Sequence, residues 1–326
     1  MRERSSSVLV TGGTGFVGSA LARRLASEGR AVRITSRHSA AVPAPGIEVV
    51  HGLALAADTR WQAALAGVDC VVHAAARVHV MHDTATSPLE AFRRINVDGT
   101  LALARQAADA GVRRFVFMSS IKVNGESTEP GRRFRADDVP NPIDPYGISK
   151  REGELALQRL AADSGLEVVV IRPPLVYGPG VKANFRTLLR WVARGVPLPL
   201  GAIDNARSMV ALDNLVDLIV ACIDRPEAAG ATFLVSDDED LSTPELLRRC
   251  GRALQRPARL VPVPAGWLRG AARLAGRPEL ALRLCGSLQV DIGPTRERLG
   301  WRPPTSVDAA LADTAGHFLR SLADKA

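Results

Sequence analysis

The sequence predicts an α/β fold, a doubly wound parallel sheet with a second, smaller C-terminal domain, and three observations carry that prediction. Val8, Leu9 and Val10 form a continuous apolar run, as expected of a strand buried on both faces, and a glycine-rich turn and a helix follow it. Strand-like and helix-like stretches then alternate as far as Ile171, the pattern of a parallel sheet with helical crossovers. From Arg172 on, proline and glycine become denser and the pattern turns irregular with short helices, as in a smaller unit closing over a sheet. The expected division is residues 1–175 and 176–326, with roughly 208–236 returning to the first domain.

Each element follows from its residues. After Val10, Gly12, Gly15 and Gly18 stand at spacing GxxGxxG, and Ser19–Glu28 reads as a helix. Glycine is needed for the tight turn, for close backbone approach to a pyrophosphate, and for packing of helix on strand. The free N–H groups and positive dipole end of the helix favour phosphate. A dinucleotide site of the Rossmann kind is expected here. Ala31–Thr35 is the second strand, and the residue meeting the adenosine ribose falls near its end, about 20 residues past the loop. That neighbourhood, Ser36-Arg37-His38, holds no carboxylate. An acid there bonds the ribose hydroxyls of NAD and repels the extra phosphate of NADP; at an effective dielectric of about 20, two unit charges about 4 Å apart interact by about 4 kcal/mol. Its absence, with Arg33 and Arg37 close in sequence, predicts NADP(H), with NAD(H) as the alternative.

Ile47–His51 reads as a third strand, Asp58–Ala66 as a helix and Asp69–His73 as a fourth strand ending in His73-Ala74-Ala75-Ala76. Small residues at the carboxyl end of a strand let a cofactor ribose lie close to the backbone. His73, His79 and His82 form a local trio, but no acidic pair converges on them, and polar or packing roles are expected instead of metal binding. Leu89–Ala110 has helical periodicity with Gly111 as its cap, and Arg114–Ser120 is a fifth strand. Gly125–Pro142, rich in proline, glycine and charge, has the composition of a mobile surface loop beside a site. Asp144–Asp163 is a long helix and Leu166–Ile171 a sixth strand.

Composition narrows the function. With 46% hydrophobic and 23% charged residues the chain is an ordinary globular one. Arg269, Arg273, Arg277 and Arg283 interrupt the Ala/Leu-rich tail, so no membrane span is expected, and a strand starting by Val8 leaves no room for a signal peptide. The net charge of +8 comes mostly from scattered arginine, with lysine only at 122, 150, 182 and 325, so a nucleic-acid partner is not expected. Cys70, Cys222, Cys250 and Cys285 are far apart and lack CxxC spacing, which argues against zinc and disulfides and fits a reducing cytoplasm.

The candidate chemistry lies at Ser120, Tyr146 and Lys150. A tyrosine and a lysine four apart share one helical face, so the ammonium can lie near the phenol. A free phenol titrates near pH ~10, and bringing it to ~7 takes about 4 kcal/mol of preferential phenolate stabilisation, which a nearby cation in a dry cleft could supply. Tyr146 then becomes a proton shuttle, and Ser120 could hold the same substrate oxygen.

The set TGGTGFVG, His73-Ala-Ala, Asn96 in INVDGT, Ser120, Tyr146-x-x-x-Lys150 and Arg172-Pro-Pro-Leu-Val-Tyr-Gly-Pro resembles the extended short-chain dehydrogenase/reductases. Within these it is similar to the nucleotide-sugar epimerase/dehydratase group. The resemblance implies a catalytic triad of Ser120, Tyr146 and Lys150, with Lys150 also reaching the nicotinamide ribose. It implies cofactor contacts from Gly12, Thr14, Gly15, Phe16, Val17, Gly18, Ser36, Arg37, His73, Ala74, Ala75 and Pro173, and a UDP-sugar substrate held by Ser120, Asn184 and Arg207. Read without it, Asn184 is a helix N-cap and Arg207 a surface ion pair. The resemblance also implies a homodimer built from the helices near Leu89–Ala110 and Asp144–Asp163, and no metal.

Departures from the family pattern narrow the expectation. Dehydratases of the group carry Asp-Glu directly after the position of Ser120, whereas Ile121 and Lys122 stand here and cannot catalyse loss of water. Asn124 replaces the tyrosine usual in VYG, Leu175 the asparagine of RPxNVYG, Leu53 the acid after the third strand, and Ser36 the Asp common in NAD-dependent 4-epimerases. The segments SIKVNG and RPPLVYGPGVKANF look most like bacterial O-antigen enzymes that reduce UDP-4-keto-6-deoxy-N-acetylhexosamines. The expected activity is that reduction, with a UDP-hexose 4-epimerase holding NAD as the alternative. A non-catalytic NADP(H)-binding sensor is the third reading, and retention of Tyr146 and Lys150 argues against it.

Overall fold

The computed structural model describes residues 7–36, 45–78, 87–129, 131–276 and 278–323. The first strand, β1 (Val8–Thr11), is followed by α1 (Phe16–Ser27), β2 (Val32–Ser36), β3 (Ile47–His51), α2 (Gln62–Leu65) and β4 (Cys70–His73). Next come α3 (Pro88–Arg93), a π-helical turn at Arg94–Gly99, α4 (Thr100–Asp109), β5 (Arg114–Met118), α5 (Pro145–Ser164) and β6 (Glu167–Arg172). The remainder is β7 (Leu175–Tyr177), α6 (Ala183–Ala193), β8 (Met209–Ala211), α7 (Leu212–Asp224), β9 (Thr232–Leu234) and α8 (Thr243–Ala253). It closes with α9 (Ala265–Leu274), α10 (Pro278–Cys285), α11 (Gly293–Leu299) and α12 (Val307–Ala323).

The apolar runs make a two-faced sheet because successive strand residues point to opposite sides. Val8 and Val10 of β1, Val116 and Met118 of β5, and Val169 and Ile171 of β6 join one buried cluster. Leu9, Phe115, Phe117, Val168 and Val170 join a cluster on the other side. Each face therefore needs its own helical layer. Leu21 and Leu25 of α1 pack with Leu215 and Leu218 of α7 in the first cluster, and Leu103 of α4 and Leu157 of α5 belong to the second. Each such leucine contributes about 1.5–3 kcal/mol by leaving water.

Among the described residues seven strands pair in the order β3-β2-β1-β4-β5-β6-β9, and every pair is parallel. The chain winds outward from β1 in both directions, so a crevice opens at the carboxyl ends of β1 and β4. Arg114, wholly buried at the start of β5, donates to the Glu167 carboxylate and to the carbonyls of Cys222, Ile223 and Arg225, which caps the C-terminal end of α7. A third cluster gathers Leu189 of α6, Leu247 of α8 and Leu311 and Phe318 of α12, beside the parallel pair β7–β8.

Three local expectations change. The long helix expected over Leu89–Ala110 is α3, the π-turn and α4. The wide turn lets the buried Asn96 accept from the Arg77 amide at 2.8 Å and donate to the Arg77 carbonyl and to Ser149 Oγ, both at 3.0 Å, tying the crevice floor to α5. The helix expected over Asp58–Ala66 shortens to α2, where the Gln106 side chain takes the Trp61 amide at 2.7 Å. The Gly125–Pro142 loop is tied down. Thr128 and Phe134 donate to the carbonyls of Ser287 and Gln289 at 2.9 and 2.8 Å, Asp291 donates back to Phe134 at 2.8 Å, and Phe134 is buried.

Candidate active site

The β1–α1 turn is shaped by what a side chain would strike. Gly12 has φ +68, and a Cβ there would lie 2.8 Å from the Ala75 nitrogen at the end of β4. A Cβ on Gly18 would lie 2.3 Å from the Gly12 carbonyl oxygen, so α1 can pack onto the turn only with glycine there. Gly15 caps α1 with no side chain bonded to the helix start, and it is exposed, which leaves the first turn of Phe16 and Val17 and the exposed Thr14 around an anion-binding terminus. This cradle fits a dinucleotide diphosphate. The GxxGxxG reading overlooks Gly13, where a Cβ would lie 2.4 Å from Ile34 Cβ of β2; two adjacent glycines were the available signal.

His73 is wholly buried at the end of β4, with Nδ1 2.7 Å from Thr11 Oγ1 and Nε2 2.9 Å from Thr100 Oγ1. Both ring nitrogens are thus engaged inside the sheet, and Ala74 and Ala75 are the partly exposed residues of that strand end. Burial, with Lys150 adding to it, pushes the His73 imidazole down to about 3, so the ring is neutral. Ser36 is buried at the end of β2 and its carbonyl accepts the Gly52 amide at 3.0 Å. Arg37, His38, His79 and His82 lie outside the described residues. Among the described residues no group of three or more His, Cys, Asp or Glu side chains could hold a metal ion.

Ser120, Tyr146 and Lys150 meet where β5 ends and α5 begins. Asp144 caps α5, its Oδ1 accepting the Gly147 amide at 2.7 Å, which presents Tyr146 in the first turn. The Tyr146 ring packs edge-on against Phe92 at 6.1 Å. Burial and the Asp144 charge push its phenol up to about 12, and hydrogen bonding with Ser120 opposes them. Lys150 is 2% exposed, donates to the Met118 carbonyl at 2.7 Å, and lies over the Phe117 ring at 4.5 Å and the Tyr146 ring at 6.0 Å. Burial pushes its ammonium down to about 7, with Glu154 resisting. The Pro173 carbonyl accepts the Ile121 amide at 3.0 Å, bracing the turn that carries Ser120.

Behind this trio is a buried ion pair that the sequence reading left out. The Glu154 carboxylate accepts Arg172 Nε at 2.8 Å and Nη2 at 2.7 Å, and Ser119 Oγ at 2.6 Å. Arg172 also donates to Asn124 Oδ1 at 3.0 Å. Glu154 falls four residues after Lys150 and eight after Tyr146 on α5, and that spacing was the available signal.

Beside Tyr146 is a cleft of about 320 Å³ bounded by Phe92, Lys122, Glu126, Leu282 and Arg283. Lys122 donates to Glu126 at 2.7 Å and to Asp144; burial pulls its ammonium down, and these two bonds outweigh it and hold it above its ordinary value. Arg207 is partly buried and donates to the Gly286 carbonyl at 2.9 Å, so it makes no surface ion pair of the kind weighed above. Burial pulls its guanidinium below the ordinary value, with Glu126 opposing and Arg283 adding, and the cleft walls do not include Arg207 itself. Asn184 stands apart: it is exposed, the N-cap of α6 is Lys182, and the cleft walls do not include it. A larger cavity of about 460 Å³, between the end of α5 and the starts of β6 and β9, has Glu167 as its one charged wall residue among those described.

Comparison with known proteins agrees with this fold. Residues 8–235 match the family described as NAD dependent epimerase/dehydratase. The chain is 46% identical over 98% of both lengths to a UDP-glucose 4-epimerase of Vibrio cholerae. It is 30% identical to a UDP-glucose 4-epimerase of Mycolicibacterium smegmatis, covering 95% of this chain and 97% of that one. Its fold is similar to that of MoeE5 in complex with UDP-glucuronic acid and NAD, with TM-score 0.78 and 25% identity over 97% of this chain and all (100%) of that one.

Proposed function

The chain belongs to the NAD-dependent epimerase/dehydratase family, and from that premise we propose that it oxidises and re-reduces C4 of a UDP-hexose, interconverting the two C4 epimers. The observation that carries this reading is the meeting of Ser120, Tyr146 and Lys150 at the carboxyl end of β5, on the crevice that the glycine cradle borders. A bound nicotinamide dinucleotide supplies the acceptor and then the donor of the hydride. Gly12, Gly15 and Gly18 would hold its diphosphate, and Ala74 and Ala75 would pack against its sugar. Tyr146, in the ionised form that is a minor one while burial holds its phenol up at about 12, takes the proton of the C4 hydroxyl and returns it to the same oxygen. Ser120 donates a hydrogen bond to that oxygen, and the Lys150 ammonium stabilises the phenolate. Arg207 and Arg283 present cations to the diphosphate of the substrate.

The relatives' names support epimerisation over the net 4-keto reduction that the sequence favours. Reduction of a UDP-4-keto-6-deoxy-N-acetylhexosamine by NADPH remains a second reading. Ser36 favours it, standing where 4-epimerases of this group carry an acid. Incubation of the purified protein with UDP-galactose tests the first reading, and the expected outcome is UDP-glucose together with copurifying NAD+. No interconversion, with steady consumption of NADPH on the 4-keto sugar, would replace the first reading by the second.

A further inference from the structure

Lys122 follows Ser120 by two residues and meets the trio's supports at three points. Its amide donates to Ser120 Oγ at 3.3 Å, so that hydroxyl accepts from the turn and keeps its hydrogen for another acceptor. Its ammonium donates to Asp144, whose other carboxylate oxygen caps α5 at Gly147. Its carbonyl oxygen lies 3.0 Å from where a Cβ on Gly147 would stand, so the first turn of α5 rests on the Lys122 backbone. Glu126, at 2.7 Å, is a second carboxylate on the ammonium. The Lys122 and Asp144 side chains are only 24% and 25% exposed, so their charges are screened less than surface ones. The other charges near Tyr146 are also placed. Lys150 and, behind it, Glu154 belong to α5, while Glu279 and Arg283 of α10 face across the cleft and pair with each other at 3.6 Å. Arg77, beyond β4, lies over the neighbouring Phe92 ring at 5.4 Å. Asp144 is the carboxylate that pushes the phenol up, and Lys122 is the cation bonded to it.

Resting on the reading that Tyr146 moves the C4 proton, we propose that Lys122 is a positioning residue for Ser120 and Tyr146: it locks the Ser120 turn to the start of α5 and screens Tyr146 from the Asp144 charge. The backbone contacts fix the gap between the two hydroxyls, whereas the ammonium acts through charge. Without the ammonium, Asp144 and Glu126 stand bare beside the cleft, the phenolate becomes scarcer, and turnover falls with it. Removing the Asp144 charge does the reverse. A purely structural ion pair behaves otherwise, because loss of either partner opens the same contact and harms turnover in the same direction.

The test compares Lys122→Met, which keeps an unbranched side chain, with Asp144→Asn, which keeps the α5 cap. The chain has 2 tyrosines, and burial and the Asp237 charge push the Tyr177 phenol well above its ordinary value. Tyrosinate absorbance that vanishes in Tyr146→Phe therefore reads Tyr146. Asp144→Asn should lower its midpoint by about 0.5–1 pH unit. Lys122→Met should raise it by as much, read as about 3–10-fold less tyrosinate at a fixed pH below the midpoint. On UDP-galactose, kcat at that pH should rise about 2–5-fold in Asp144→Asn and fall about 2–5-fold in Lys122→Met, a more acidic phenol being also a weaker base. Lys122→Met should matter less in the Asp144→Asn background than in the wild type. Circular dichroism accompanies each variant, and where Lys122→Met does not fold, the sign of the Asp144→Asn shift decides. The proposal is overturned if Lys122→Met titrates as the wild type does, or if both variants move the midpoint or the turnover the same way. The titration needs no substrate. A wild-type chain that leaves UDP-galactose unchanged overturns the reading of function, while the order of the three midpoints still decides the role of Lys122.

Discussion

Burial works against the charge of Lys150. The sequence predicts that its ammonium lowers the Tyr146 phenol, but burial penalises the ionised form of both groups and leaves the phenol at about 12 and the ammonium at about 7. The i,i+4 spacing was legible in the sequence; the depth of burial, set by Phe117 and the end of β5, was not. Tyr146→Phe should bind the dinucleotide normally yet lose about 10²–10⁴-fold in turnover, measured by cofactor titration beside steady-state rates. Glu154 raises the Lys150 ammonium, so removing its charge lets that ammonium deprotonate at lower pH. In Glu154→Gln the alkaline fall in kcat should therefore shift toward acid, while Gln keeps a partner for Ser119. An unshifted limb in the folded variant would leave Glu154 a purely structural role. Loss of one member of a buried pair costs about 3–5 kcal/mol, so circular dichroism must accompany the rates.

Among the elements, β1, β4, β5 and β6 were legible because strands covered on both faces leave apolar runs. The break within Leu89–Ala110 was not, because a π-turn keeps the apolar period and reveals itself only through the partners of Asn96. The β1–α1 turn was legible as three glycines, and the cost of changing them is steric. Gly18→Ala places a methyl group 2.3 Å from the Gly12 carbonyl oxygen, and the turn must open to admit it. The expected result is about 1–3 kcal/mol of destabilisation in urea unfolding and at least about 10-fold weaker dinucleotide binding. Ala271→Gly in α9 touches neither turn nor cleft, and it should cost about 1 kcal/mol or less.

For the whole molecule, the parallel sheet followed from the alternation of strands and helices, whereas the packing of Ser287–Asp291 did not. That segment pairs with residues some 80 and 160 positions earlier, and no local period announces such partners. Acid should weaken the fold through His73. In the folded chain its imidazole stays neutral down to about 3, while in the unfolded chain it takes a proton near pH ~6.5. Between those values the unfolded state binds more protons, so stability should decline as pH falls from ~6.5 toward about 3, by up to about 1.4 kcal/mol per pH unit. Denaturant titrations across that range check it, and His73→Gln should flatten the slope.

The Ser287–Asp291 ribbon also bears on how a ligand gets in. On one flank it grips Thr128 and Phe134, which follow the Ser120 turn; on the other it grips Ala206 and Ser208, which bracket Arg207. Prising the mouth apart would mean unzipping main-chain bonds along this seam, so entry of a sugar nucleotide should proceed by small rearrangements of side chains and of α10. The amides of Phe134, Ser208 and Leu288 should then exchange with deuterium at one shared, slow rate, whether or not the crevice is filled.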